Sequence, residues 1–316
     1  MATDILLDTG TNEVEILEFI LGEQSFGINV AKVMQIIAYD ESKLTVTPDD
    51  NGAILGVFLW QGKTIPLIHL SRALNRQDER LFERPIVLVT RFNEVTNGFL
   101  VSNVNKINRV NWDKITPISQ IISDHSSNIT SSVNIEGKDI LLVDFEYLVA
   151  SLFPGVRMDH NLEDAHISKE LNRQDVKIVF AEDSAFIRGN VISLLAKVGY
   201  SQITPFENGQ EALEYVKKVQ KQAESERRPI REYLNLVISD VEMPKMDGLT
   251  LCRKIKKELN LPDLPVAMFS SLIDEQMAIK CQEVGADAYT CKPKISELVS
   301  MLDNLLQVGG TARQAG

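Results

Sequence analysis

The stretch Leu234-Asn-Leu-Val-Ile-Ser-Asp-Val-Glu-Met-Pro244 decides how the second half of the chain folds. Its first six residues are short, mostly branched and bounded by polar sequence, the pattern of a buried strand. Asp240 then stands at the strand's carboxyl end, where open α/β sheets place their sites. A lone aspartate there is more often a turn former or a cap than a catalyst, so the neighbouring strands decide. Lys177-Ile-Val-Phe-Ala181 runs into Glu182-Asp183, and Pro265-Val-Ala-Met-Phe269 into Ser270-Ser271. Asp287-Ala-Tyr-Thr-Cys291 runs into Lys292-Pro293. Three carboxylates, a hydroxyl and an ammonium group thus fall at four strand ends.

Helical patterns separate these strands. Ile187, Val191, Leu194, Leu195 and Val198 make an apolar stripe closed by Gly199. Gln202–Phe206 is a further strand, and a helix follows from Gly209 to about Ala223. The charged run Glu224-Ser-Glu-Arg-Arg228 extends it as a solvated end. Asp247 opens a third helix at its positive end. Asp274–Val284 and Ser296–Gln307 supply two more. Five βα units predict a parallel sheet with helices on both faces.

This set resembles the response-regulator receiver domain, a flavodoxin-like (βα)5 fold, over roughly the last 140 residues. The resemblance implies that Asp240 accepts a phosphoryl group. Phosphoryl transfer to a carboxylate brings two anions together, so a cation is needed. The implied Mg²⁺ ligands are Glu182, Asp183, Asp240 and the main-chain carbonyl of Glu242. Glu182 stands where the family often has a second Asp. Ser270 and Lys292 would take phosphoryl oxygens. Ser270 and Tyr289 would form the switch that reports phosphorylation, and Pro293 would follow a cis peptide bond, as the family's usually does. The bland reading of Tyr289 is a half-buried strand tyrosine.

Composition bounds the rest. The 316 residues suffice for two domains, and 44% hydrophobic with 24% charged content is ordinary for a globular protein. A formal net charge of -11 argues against nucleic acid or an anionic membrane as partner. Cys252, Cys281 and Cys291 lack metal-ligand spacing and leave one thiol over in any disulfide scheme. No apolar run reaches membrane-span length, and Met1-Ala-Thr-Asp-Ile lacks the basic start of a signal peptide. A cytoplasmic protein without direct membrane insertion is expected.

The first half reads as short strands at regular spacing. The candidates are Glu13–Leu21, Ser25–Val30, Gly56–Trp60, Thr64–Ile68, Pro85–Thr90, Gly98–Val101, Ser132–Ile135 and Ile140–Val143. Trp60-Gln-Gly-Lys-Thr-Ile-Pro-Leu-Ile-His69 lines up with Ile135-Glu-Gly-Lys-Asp-Ile-Leu-Leu-Val-Asp144. Each copy has a Gly-Lys turn, an apolar strand and a short helix, either a duplication or two ordinary hairpins. No catalytic set appears, and His69 is expected to be structural.

Phe26-Gly-Ile-Asn-Val-Ala-Lys-Val-Met-Gln-Ile-Ile37, Ile54-Leu-Gly-Val-Phe58 and Ile65-Pro-Leu-Ile-His-Leu70 resemble the CheW coupling domain. That resemblance implies an all-β pair of small barrels bridging methyl-accepting chemoreceptors to the histidine kinase CheA. Gln61 stands where the family commonly has an arginine, and His69 where it has an aspartate, which alters the cap of the next short helix. Val30, Val33, Ile36 and Ile37 are the implied receptor-side groups, with core packing as the alternative.

The expected organisation is a coupling domain over 1–155, a connector over 156–174, a receiver over 175–310 and a tail over 311–316. His160 and His166 in the connector are read as solvated. The expected function is a non-enzymatic coupling–receiver protein, its coupling modulated by Mg²⁺-dependent phosphorylation of Asp240. A phosphate sink for the kinase is one alternative. An aspartyl-nucleophile phosphatase of the haloacid-dehalogenase type is another, disfavoured because Met243-Pro244 follow Glu242.

Overall fold

In a computed structural model the chain divides into two compact units, whose main spans are Glu13–Pro154 and Gly155–Gly316. The structure describes residues 12–47, 52–76, 84–92, 95–118, 128–153, 171–271, 273, 275–292 and 295–311. Most of the expected connector, with His160 and His166, lies outside them, as do Pro293 and most of the expected tail.

The first unit holds β1 (Glu13–Leu21), β2 (Gln24–Asn29), β3 (Val33–Ala38), β4 (Leu44–Val46), β5 (Ile54–Trp60), β6 (Lys63–His69) and α1 (Leu70–Ala73). Then follow β7 (Ile86–Phe92), β8 (Val95–Val101), β9 (Asn103–Asn111), β10 (Ile115–Pro117), β11 (Ile129–Ile135), β12 (Lys138–Val143) and α2 (Phe145–Leu152). Two six-stranded sheets form, ordered β9-β1-β2-β12-β11-β10 and β3-β7-β8-β6-β5-β4. The two orders correspond strand for strand. Each sheet has one parallel pair, β2 with β12 and β8 with β6. Short connections carrying a single 3-10 turn join the end strands β3 to β4 and β9 to β10, so each sheet curls into a barrel.

The duplication therefore spans the whole sheets. Both aligned hairpins turn through two consecutive left-handed residues, Gln61-Gly62 and Glu136-Gly137. That is the two-residue turn whose twist matches paired strands. The helix caps differ as the sequence suggests. Asp144 accepts from the Tyr147 N–H at 2.8 Å and starts an eight-residue helix. His69 makes no side-chain cap bond, and α1 has four residues.

Strand alternation sorts side chains into three cores. Val14, Ile16, Trp112, Val133, Ile140 and Leu142 fill one barrel. Phe58, Ile65, Leu67, Val87, Val89 and Leu100 fill the other. The intervening residues Leu17, Phe19, Phe26, Ile68, Leu88 and Phe99 pack together with Phe145 of α2. Gly27 and Gly98 occupy corresponding places, paired with Leu142 and Leu67 on the parallel neighbour. A Cβ on Gly27 would lie 2.6 Å from Ile16 Cγ2 and 2.7 Å from Leu142 Cδ2. On Gly98 the nearest atom would lie at 3.1 Å. Of the four implied receptor-side groups, Val30, Val33 and Ile37 pack on cores. Ile36 is 43% exposed, beside Met34 at 49%.

The second unit runs β13 (Lys177–Ala181), α3 (Ala185–Lys197), β14 (Gln202–Phe206), α4 (Gly209–Glu226), β15 (Leu236–Ser239) and α5 (Gly248–Arg253), which continues into a π turn, Lys254–Glu258. Then come β16 (Val266–Ser270), α6 (Glu275–Val284), β17 (Ala288–Cys291) and α7 (Ile295–Thr311). The sheet is all parallel, ordered β14-β13-β15-β16-β17. Every residue of β15 is buried, as a central strand covered on both faces must be. Residues 171–174, expected in the connector, carry groups packed on this unit. Leu171 lies against its core. Arg173 makes a two-bond ion pair with buried Asp303 of α7, at 3.0 and 2.5 Å, and the Tyr200 hydroxyl donates to the same carboxylate at 2.7 Å. Among the described residues no helix is long and apolar enough to cross a membrane.

Because both barrel glycines face packed side chains, Gly27→Val should destabilise the first unit by about 1–3 kcal/mol through overpacking. Gly98→Val should cost less. Denaturant unfolding of the full chain reads both, and equal stability of Gly27→Val and wild type would contradict the packing account.

Candidate functional site

The chain crosses from one side of the sheet to the other between β13 and β15, the switch point where sheets of this order bind ligands. Residues just past the strands are still held by the ladder. The Asp240 N–H donates to the Ala181 carbonyl at 2.9 Å, and the Glu182 N–H to Phe206 at 3.0 Å. The Lys292 N–H donates to Ser270 at 3.2 Å. Main-chain bonds therefore place the two acids and the lysine before their side chains meet.

The side chains converge. Carboxylate oxygens of Glu182, Asp183 and Asp240 lie within 4.8 Å of one another. Glu182 and Asp240 are buried, while Asp183 is partly open to solvent. The Lys292 ammonium, 0% exposed, lies 2.7 Å from Glu182 Oε2 and 3.1 Å from Asp240 Oδ2. Asp240 Oδ1 accepts from the Val241 N–H at 2.6 Å, and Glu182 Oε1 from the Ser184 N–H at 3.3 Å. Counted formally, three carboxylates and one ammonium carry a charge of two negative. Clustered acids of that net charge, with one face open, fit a hard divalent cation that keeps several waters.

The loop after Asp240 is shaped by a close approach. The Gly248 N–H donates to the Val241 carbonyl at 2.8 Å. A Cβ on Gly248 would stand 1.9 Å from the Asp240 carbonyl oxygen, so glycine is required there. Asp247 caps α5, accepting from the Thr250 N–H at 2.7 Å and its hydroxyl at 2.8 Å. Burial holds the Asp247 carboxyl above the usual range, against the pull of those bonds.

The other expected residues take these places. Ser270 is buried at the end of β16 and pairs in register with Cys291. Glu242 is buried two residues after Asp240. Tyr289 on β17 is 36% exposed, its hydroxyl 3.5 Å from Gln282 Nε2 on α6. Arg188 of α3 was not singled out by the sequence reading. Its Nη1 donates to the carbonyls of Glu182 at 2.6 Å and Asp183 at 3.2 Å, and its Nη2 to Glu207 Oε1 at 3.0 Å. The available signal was its place one helical turn past the acid pair. No disulfide joins Cys252, Cys281 or Cys291. Burial pushes the Cys252 and Cys281 thiols up to about 12.

Two family models match the chain. The CheW-like domain family matches residues 15–153, and the response regulator receiver domain family residues 178–303. The chain is 32% identical over 319 residues to the chemotaxis protein CheV3 of Helicobacter pylori, covering 96% of this chain and 98% of that one. It is 23% identical to CheV2 of the same organism, covering 93% and 95%. Among solved structures it is similar to the scaffolding protein TtCheW from Thermoanaerobacter tengcongensis, at 17% identity and a TM-score of 0.38, over 43% of this chain and 91% of that one. The chain belongs to the CheV family of chemotaxis proteins, a CheW-like domain and a response regulator receiver domain on one polypeptide.

Proposed function

We propose that this protein couples chemoreceptors to the histidine kinase CheA in the cytoplasm, and that Mg²⁺-dependent phosphorylation of Asp240 modulates the coupling. Family membership supports the coupling role. The observation that carries the phosphorylation is the cluster of three carboxylates spanned by one buried ammonium.

Glu182, Asp183, Asp240 and the Glu242 carbonyl would hold the ion. Mg²⁺ bound there supplies the charge that lets an anionic nucleophile meet an anionic phosphoryl group. One Asp240 oxygen accepts from the Val241 N–H and the other faces Lys292, which supports that role. Lys292 would follow the charge. Its ammonium, shared between two acids here, would turn to the incoming phosphoryl oxygens as a point charge. The Ser270 hydroxyl would bind another oxygen. Tyr289, on the strand next to Ser270, would then swing inward, as the family resemblance implies. In the first unit, exposed Ile36 and Met34 are available to a partner, whereas Val30, Val33 and Ile37 are used in packing.

The direct test is transfer from phosphorylated CheA. Label should enter the full chain only with Mg²⁺, and Asp240→Asn should take up none. Receptor control of the kinase should change on labelling of wild type and stay constant with Asp240→Asn. Labelling that leaves receptor control unchanged would make the protein a phosphate sink.

Lys292→Met should separate two roles of the ammonium. Removing it leaves two buried acids unbalanced, which should cost about 3–5 kcal/mol of stability without metal. Added Mg²⁺ should restore more stability to this variant than to wild type, while phosphoryl uptake stays slow. A metal response equal to wild type would contradict the charge-sharing role of Lys292.

With fluorotyrosine-labelled protein, one NMR resonance, identified by its loss in Tyr289→Phe, should shift when beryllofluoride and Mg²⁺ are added. An unmoved resonance would count against the switch.

A further inference from the structure

Arg188 stands beside the acid cluster but takes no part in the chemistry above. It lies on the first turn of α3, with its side chain 14% exposed. Its guanidinium makes a fork. One nitrogen spans the carbonyls of Glu182 and Asp183, and the other reaches Glu207, the residue just past β14. Glu182 is tied on its N–H side to Phe206, the last residue of β14. The backbone of the acid pair is thus held from the N–H side by the sheet and from the carbonyl side by Arg188.

We infer that Arg188 is a positioning residue for the divalent-cation site. Its fork sets the two peptide planes from which the Glu182 and Asp183 side chains project, and so sets how well their oxygens meet one ion. This inference rests on the reading of the acid cluster as a Mg²⁺ site.

Three physical points carry it. First, Glu182 and Asp183 lie beyond β13, where carbonyls leave the ladder and need other donors. Second, a guanidinium offers several donors in a rigid plane, so one side chain can bond two successive carbonyls and a carboxylate together. An ammonium has no such plane. Third, Glu207 accepts from the outer nitrogen, which both aims the fork and offsets its charge. Without that carboxylate a bare cation beside the pocket would oppose the binding of another. Groups one shell outside a metal typically set its affinity by about 10–100-fold through such orientation.

The alternative is an arginine that merely satisfies loop carbonyls and stabilises the start of α3. The two roles differ in what they move. A stabilising role lowers the metal-free melting temperature and leaves cation affinity alone. A positioning role weakens the cation even where melting is unchanged.

The experiment counts free Mn²⁺ by electron paramagnetic resonance during titration of the full chain, with Mg²⁺ as competitor. Wild type, Arg188→Ala and Arg188→Lys are compared, and metal-free melting is recorded for each. Arg188→Ala should bind Mn²⁺ about 10-fold or more weakly than wild type. Arg188→Lys should melt with wild type yet stay several-fold weaker, because a point charge cannot hold both peptide planes. Affinity of Arg188→Lys within twofold of wild type overturns the inference while leaving the metal site standing. If Arg188→Ala does not fold, the lysine variant decides alone. Wild type that binds neither ion overturns the metal site itself, and the positioning role with it.

Discussion

A single ammonium group between two buried carboxylates governs the receiver half of this protein. Two ionised acids removed from water are costly unless a cation lies within a few ångströms. Lys292 meets that need for Glu182 and Asp240. The third acid, Asp183, keeps contact with solvent and leaves the cluster short of positive charge. A divalent ion of the kind proposed would offset that imbalance, and the burial of Asp240 keeps bulk water from screening its charge. The parallel sheet is the frame for this arrangement, since each of the three buried groups follows a strand whose last main-chain bonds fix it.

The coupling half is built on a different constraint, the closure of two small barrels from one repeated plan. Short turns bring the end strands of each sheet together, and a glycine on the corresponding strand of each barrel leaves room for the neighbours' side chains. The chain order is permuted between the copies, because β1 and β2 complete the sheet that contains β9 to β12. No acid cluster of metal-binding geometry occurs there among the described residues. Besides the three cores, Met34, Ile36, Val46 and Leu59 are exposed on the barrel that contains β3 to β8, and Ile107 is exposed on the other. Such residues offer apolar surface for contact.

Much of this was legible in the sequence, and the reasons are physical. Buried parallel strands need continuous apolar runs, so β13, β15 and β16 stand out, and their ends carry the acids and the serine. The aligned hairpins were visible because a Gln-Gly or Glu-Gly pair must supply two left-handed residues. What escaped was set by tertiary geometry. β9, Asn-Val-Asn-Lys-Ile-Asn-Arg-Val-Asn, is an edge strand with most of its side chains in solvent, and composition does not mark it. β4 and β10 have three residues each, too few to show a period. Arg188 looks like any helix arginine until the carbonyls it meets are placed in space. Val30, Val33 and Ile37 are apolar whether they face a partner or a core, and only packing separates them from Ile36.

On the reading proposed above, Asp240 becomes an acyl phosphate only when a divalent cation joins the acid cluster. Borohydride reduction of the phosphorylated full chain, followed by peptide mass spectrometry, tests it most directly, because reduction converts a phosphorylated aspartate to homoserine. The expected result is homoserine at position 240 alone, present with Mg²⁺ and absent when the ion is chelated. Conversion at another residue, or equal conversion at Asp240 without the ion, would contradict the account.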